Sequence, residues 1–98
     1  FYLGAAALRT PVVLDGFIGT AAALAAVALS PAVRDYLFAS HLSGEPGHRV
    51  QLERLGLEPL FDLGLRLGEG TGAVLAFGLL GGAAATLAGM ATFAEAGL

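Results

Sequence analysis

The sequence predicts an α/β fold in which parallel strands alternate with helices in βαβ units. Three observations lead there. Short apolar runs at Val12-Val13-Leu14 and within Asp35 to Ser40 have strand length and end in polar or glycine-bearing loops. Longer alanine- and leucine-rich runs between and after them have helix length. The resulting order of strand, helix, strand, helix, extended segment, helix implies right-handed crossovers, with the carboxyl-end loops of the strands on one edge.

Phe1 to Leu8 reads as the tail of a helix without a start signal, ended by Arg9-Thr10-Pro11. Val12-Val13-Leu14 follows as a buried parallel strand that presents Asp15 and Gly16 at its carboxyl end. Phe17 to Leu29 is a helix stopped by Ser30-Pro31. Asp35 to Ser40 is a second strand, leading into the His41 to His48 loop. Pro46 suits a first helical turn because no N–H is needed there, and that helix runs through Val50, Leu52 and Leu55 to a stop at Gly56. Leu57 to Leu65 is a third short strand or an extended segment. Thr71 to about Gly89 is a helix with Thr71 as its cap, and Ala91 to Leu98 is a tail that docks on something.

Composition narrows the function. A chain of 98 residues holds one domain or part of one, yet 56% of it is hydrophobic and its mean hydropathy is +0.77. A globule this small buries a modest share of its surface. Such apolar content calls for burial against something else, or for a membrane. Together with the startless first helix, it leads us to read residues 1–98 as the C-terminal portion of a single α/β domain. All five basic residues are arginines and the net charge is −3, which sets nucleic-acid binding aside. With no cysteine, disulfides, thiolate catalysis and zinc–sulfur sites are excluded.

Glu69 is the candidate for chemistry. It stands alone in Arg66-Leu67-Gly68-Glu69-Gly70-Thr71-Gly72, where an extended run hands over to a helix, the edge at which α/β proteins bind ligands. An acid in apolar surroundings is pushed toward a pKa suited to proton transfer, so Glu69 is the expected general base. The same acid also fits a turn that complements the next helix dipole. The stretch is not a P-loop, because no Gly-Lys-Ser/Thr follows. Asp15-Gly16 is either a ligand-facing strand end or a helix cap. His48 and Arg49 open a helix, where an anion such as phosphate would rationalise them; a solvated turn is the alternative. Arg66 either meets an anion or pairs with Asp62 or Glu69. His41, Glu45 and His48 are assigned no metal, since loop histidines are more often hydrogen-bonded. The uncharged runs Gly16 to Val33 and Gly70 to Ala94 have membrane-spanning length, but alanine and glycine dominate them and neither end has an arginine cluster or aromatic belt. Buried helices are the preferred reading, and a polytopic membrane fragment without catalysis is the runner-up.

Four motifs in order resemble one family: Pro11-Val12-Val13-Leu14-Asp15-Gly16-Phe17-Ile18; Ala39-Ser40-His41 through Ser43 with Glu45-Pro46-Gly47-His48; Leu55-Gly56-Leu57-Glu58-Pro59-Leu60; and Asp62 to Gly72. With Met90 to Gly97 at the end, they are similar to the nicotinate-nucleotide:dimethylbenzimidazole phosphoribosyltransferases of cobalamin nucleotide-loop assembly. The resemblance implies a three-layer parallel-sheet domain with helices on both faces, a small second helical domain, and a cytoplasmic homodimer with no cofactor. It implies transfer of phosphoribose from nicotinate mononucleotide to 5,6-dimethylbenzimidazole, with Glu69 as catalytic base. Asp15, Gly16, Phe17, Ser43 and Gly44 would border the nucleotide, and Leu67 the benzimidazole. The family's upstream phosphate motif lies outside these residues, so the isolated 98-residue piece is expected to be inactive.

Overall fold

The computed structural model describes residues 1–98. The element order is α1 (Tyr2–Ala7), β1 (Val12–Leu14), α2 (Gly16–Leu29), a 3-10 turn (Pro31–Tyr36), β2 (Leu37–Ala39), α3 (Pro46–Leu55) and α4 (Thr71–Gly89). β1 and β2 pair in parallel, with Val12 opposite Leu37, Val13 opposite Phe38 and Leu14 opposite Ala39. Parallel neighbours need a crossover, and α2 supplies it. Its buried face is Gly16, Thr20, Ala23 and Ala26, spaced three or four apart so that they share one side. Their small size lets the helix lie close to the strands.

The core gathers Val12 and Leu14 of β1, Ala23 and Ala26 of α2, Val33, Leu37 and Leu55. Each fully buried leucine contributes about 1.5–3 kcal/mol, so Leu14, Leu37, Leu52 and Leu55, all buried, supply much of the cohesion. α1 is tied down by Tyr2, whose hydroxyl donates to the Gly19 carbonyl at 2.9 Å. α3 begins at Pro46 and ends at Gly56, which is left-handed at φ 62, as its sequence anticipates.

The structure corrects several expectations. Asp35 and Tyr36 are not strand residues. Pro31 starts a 3-10 turn that carries through them, and the Arg34 guanidinium anchors that turn by donating to the Leu55 and Gly56 carbonyls. Leu57 to Leu65 is extended but forms a single parallel bridge, Phe61 with His41, in place of a full strand. Pro59 brings no N–H to a ladder and Gly64 turns the chain at φ 66, so pairing is cut short on both sides. The bonds that remain (Leu60 N–H to Ala39 O, Phe61 N–H to Ser40 O, Leu42 N–H to Phe61 O, Gly44 N–H to Leu65 O) still hold this segment beside β2 and its loop.

α4 is mostly uncovered. Only Gly72 and Ala76 are buried, while Phe77 is 61% and Leu87 84% exposed. Within this chain burial is confined to its first turns, because no other part of the chain lies over the rest. The Ala91 to Leu98 tail is likewise exposed throughout and packs on no other part of this chain. It is organised locally, by the Glu95 carboxylate accepting the Thr92 amide and hydroxyl. Those bonds, the backbone one foremost, hold the Glu95 carboxyl below its usual range.

Candidate active site

β1, β2 and the segment before α4 each end at the same place. Asp15, Gly16 and Phe17 come from the first end, His41, Ser43 and Glu45 from the second, and Arg66, Gly68 and Glu69 from the third. Together they line an open cavity of about 480 Å³. The sequence places three loops on one edge, and the structure brings them together there.

Asp15 links the first tip to the third. It stands immediately before α2 but makes no capping bond to that helix. Its carboxylate turns instead to the start of α4, accepting Gly70 N–H at 3.0 Å on Oδ2 and Ala73 N–H at 3.1 Å on Oδ1. Amides at a helix start have no partner within the helix, and a negative charge there is favoured by the dipole. Thr71, the expected cap, does something else: its hydroxyl donates to the Gly68 carbonyl at 2.8 Å and closes the preceding turn. Asp15 thus lines the cavity while each of its oxygens accepts a backbone donor, so that it also serves as a structural link between two loop tips.

That link holds an unusual backbone. Gly68, Glu69 and Gly70 are all left-handed, at φ 76, 55 and 80. For glycine this is free of steric cost, whereas for Glu69 it costs about 1–2 kcal/mol. Hydrogen bonds to a charged acceptor contribute about 1.5–3 kcal/mol each, so the two Asp15 bonds suffice to offset the strain. The Glu69 side chain is exposed at the cavity rim, not enclosed by its apolar neighbours, and Leu67 is 71% exposed. The apolar surroundings inferred for Glu69 from its neighbours in sequence are absent in this chain.

The two histidines are interior groups. The Ser40 hydroxyl donates to the Leu14 carbonyl at 2.6 Å, which leaves its oxygen to accept Nδ1–H of His41 at 3.0 Å. Asp15 Oδ1 lies 3.8 Å from the same nitrogen. The His41 ring packs against the backbone of Gly72 so closely that a Cβ there would come 1.9 Å from Nδ1. Close approach at Gly72 is therefore to a side chain of this protein. His48 is 1% exposed. Its Nδ1 accepts the Ser43 amide at 2.9 Å, so the neutral ring carries its proton on Nε2 and donates it to Thr20 Oγ1 at 2.9 Å. Thr20 in turn donates to the Gly16 carbonyl at 2.7 Å. Burial first, then His41, lowers the His48 pKa from its ordinary 6.5, against an opposing pull from Asp15. The expected anion contact at His48 is thereby corrected: the ring is neutral and braces the second tip against the first. No three His, Asp or Glu side chains converge in a metal-binding arrangement.

Of the remaining expected contacts, Phe17 lines the cavity and lays its ring over Gly47, where a Cβ would meet it at 2.8 Å. Ser43 lines the cavity too, its hydroxyl accepting the Glu45 amide at 3.3 Å. Gly44 and Leu67 sit beside the cavity, adjacent to lining residues, and do not form its wall. Arg66 lines the cavity and makes no ion pair with Asp62 or Glu69. His41 and Gly68 are wall residues that sequence reasoning gave no role; their positions just after β2 and just before Glu69 are the signal that marks them.

A family model described as Phosphoribosyltransferase matches residues 1–98. The chain belongs to that family. It is 62% identical over 96 residues to the nicotinate-nucleotide–dimethylbenzimidazole phosphoribosyltransferase of Desulforudis audaxviator, and 60% identical to that of Pelodictyon phaeoclathratiforme. In both comparisons the match covers 98% of this chain and 27% of the relative, so the chain spans about a quarter of their length. The crystal structure of the Thermus thermophilus enzyme of that name superposes with a TM-score of 0.90 at 62% identity, over 98% of this chain and 29% of that one.

Proposed function

We propose that this chain is the C-terminal portion of an enzyme that transfers phosphoribose from nicotinate mononucleotide to 5,6-dimethylbenzimidazole, with Glu69 as general base. The products are α-ribazole 5′-phosphate and nicotinate. One benzimidazole nitrogen attacks C1′ as the bond from C1′ to the pyridinium nitrogen breaks, its electron pair returning to the nicotinate ring. No general acid is needed for that departure. Positive charge grows on the azole, and Glu69 takes the proton from its second nitrogen. Attack opposite the leaving group inverts C1′, consistent with a β-nucleotide giving an α-product.

The observation that carries this reading is the Glu69 carboxylate on a cavity shared by three loop tips, in a chain of this family. Asp15, Gly16, Phe17, Ser43 and Gly44 border the nucleotide and Leu67 the benzimidazole, with Arg66 available to an anionic group. Around this piece we place a three-layer domain with helices on both faces, a small helical domain and a cytoplasmic homodimer, as the family resemblance implies. The upstream phosphate motif completes the site, so residues 1–98 alone are inactive. The membrane reading has one feature in its favour, since α4 is long and apolar enough to cross a bilayer. The structural match extends over 98% of the chain, α4 included, which favours a helix of an α/β enzyme.

Glu69→Ala in the full-length enzyme is expected to lower kcat by about 10²–10⁴, the usual worth of a general base. Steady-state assay with both substrates, and chromatographic identification of the α-nucleotide, checks it. A wild-type rate in the variant removes Glu69 from the mechanism.

A further inference from the structure

We infer that Asp15 is a positioning residue for Glu69: by holding the Gly70 and Ala73 amides, it fixes the turn that sets the base at the cavity. The inference rests on the reading of Glu69 as base and goes beyond it, because Asp15 lies 55 residues upstream of Gly70, on a different element.

The geometry is specific. Gly70 N–H belongs to the peptide bond that follows Glu69, so the bond from Oδ2 at 3.0 Å restrains the base's own backbone. Ala73 N–H, held at 3.1 Å, fixes the first turn of α4 relative to β1. On the other side, the Thr71 hydroxyl ties back to the Gly68 carbonyl. Glu69 is thus clamped between two glycines that, unrestrained, have wide freedom in φ. Asp15 can serve as an anchor because its own surroundings are fixed. The Leu14 carbonyl before it accepts the Ser40 hydroxyl, and Gly16 after it is buried, its carbonyl accepting the Thr20 hydroxyl. The Asp15 side chain is 19% exposed, and each of its oxygens already accepts a backbone amide. An acid so engaged transmits position from β1 to the turn that carries Glu69. Proton removal requires the base within hydrogen-bond reach of the azole N–H, and misplacement by about 1 Å costs on the order of 10²-fold in rate.

The test is a double-mutant cycle on the full-length enzyme with Asp15→Asn, Glu69→Gln and the pair. Asp15→Asn replaces one acceptor oxygen by an NH2 that faces an amide donor. It is expected to lower kcat about 10–10²-fold while KM for nicotinate mononucleotide stays within about threefold. In the Glu69→Gln background it is expected to cause no further loss, since a positioning residue has nothing left to position. Faster amide exchange at Gly70 and Ala73, with β1 and β2 unchanged, accompanies it. An equal loss in both backgrounds overturns the inference, as does a raised KM with kcat preserved, which makes Asp15 a ligand contact. Glu69→Gln at wild-type rate sinks the base itself, a failure seen before Asp15 enters the cycle. If Asp15→Asn does not fold, Asp15→Glu carries the same cycle: it keeps the charge, moves the oxygens by one methylene, and is held to the same kcat loss at constant KM.

Discussion

The glycines on either side of Ala76 look alike in the sequence and do opposite work in the structure. At the start of α4, Gly72 lies against the His41 ring, where any side chain would overlap it. Further along the same helix, Gly78, Gly81, Gly82 and Gly89 have nothing within 4 Å of where a Cβ would sit. One end of α4 is stitched by Asp15, Thr71 and His41 into the cavity wall; the other is exposed apolar helix. A glycine is informative when its neighbours in space leave no alternative, and composition alone does not distinguish the two cases.

The sharpest way to break this contrast is Gly72→Ala in the full-length enzyme. The new methyl must displace the His41 ring, so a loss of about 1–3 kcal/mol in unfolding free energy is expected, as for other overpacked interiors. Activity should fall with it, because the ring shares the cavity wall with Glu69. Denaturant titration reads the first effect, and an unchanged midpoint would contradict the close approach.

A smaller effect probes the second brace of the rim. His48 has its native pKa below 6.5, so the unfolded chain takes up the proton more readily. Its contribution is fully present above the unfolded value and is lost as pH falls through 6.5 toward the lowered native value. Unfolding free energy should therefore drop as pH falls below the ordinary histidine value of 6.5, and His48→Gln should flatten that slope. A variant with the same slope as wild type would assign the dependence to other groups.

The smallest effect belongs to the exposed end of α4. With open space around Gly82, Gly82→Ala should gain about 0.5–1 kcal/mol from helix propensity. A loss in the full-length enzyme would reveal that another surface packs against that glycine, and would sharpen the comparison with Gly72.

What was legible in the sequence follows physical lines. The helix from Pro46 to the stop at Gly56, the strand at Val12–Leu14 and the start of α4 at Thr71 all follow from local rules, since proline, glycine and β-branched runs act on their own backbone. The convergence of three loop tips was readable too, because parallel strands leave their carboxyl ends on one edge. The roles of Asp15 and His48 were not. Asp15 stands where a cap for α2 is expected, yet serves α4, and only tertiary folding brings Gly70 and Ala73 to it. His48 looks like a cation at a helix start, and its neutrality comes from Ser43 and Thr20 closing around it. The strand expected from Asp35 was shortened by Pro31, whose 3-10 turn outweighed the local apolar pattern.

Glu69 is proposed to remove the azole proton at this cavity. The most direct test is the single-turnover rate of full-length Glu69→Gln with nicotinate mononucleotide and 5,6-dimethylbenzimidazole both saturating. A fall of about 10²–10⁴ is expected, with binding of both substrates retained. Transfer at the wild-type rate would contradict it.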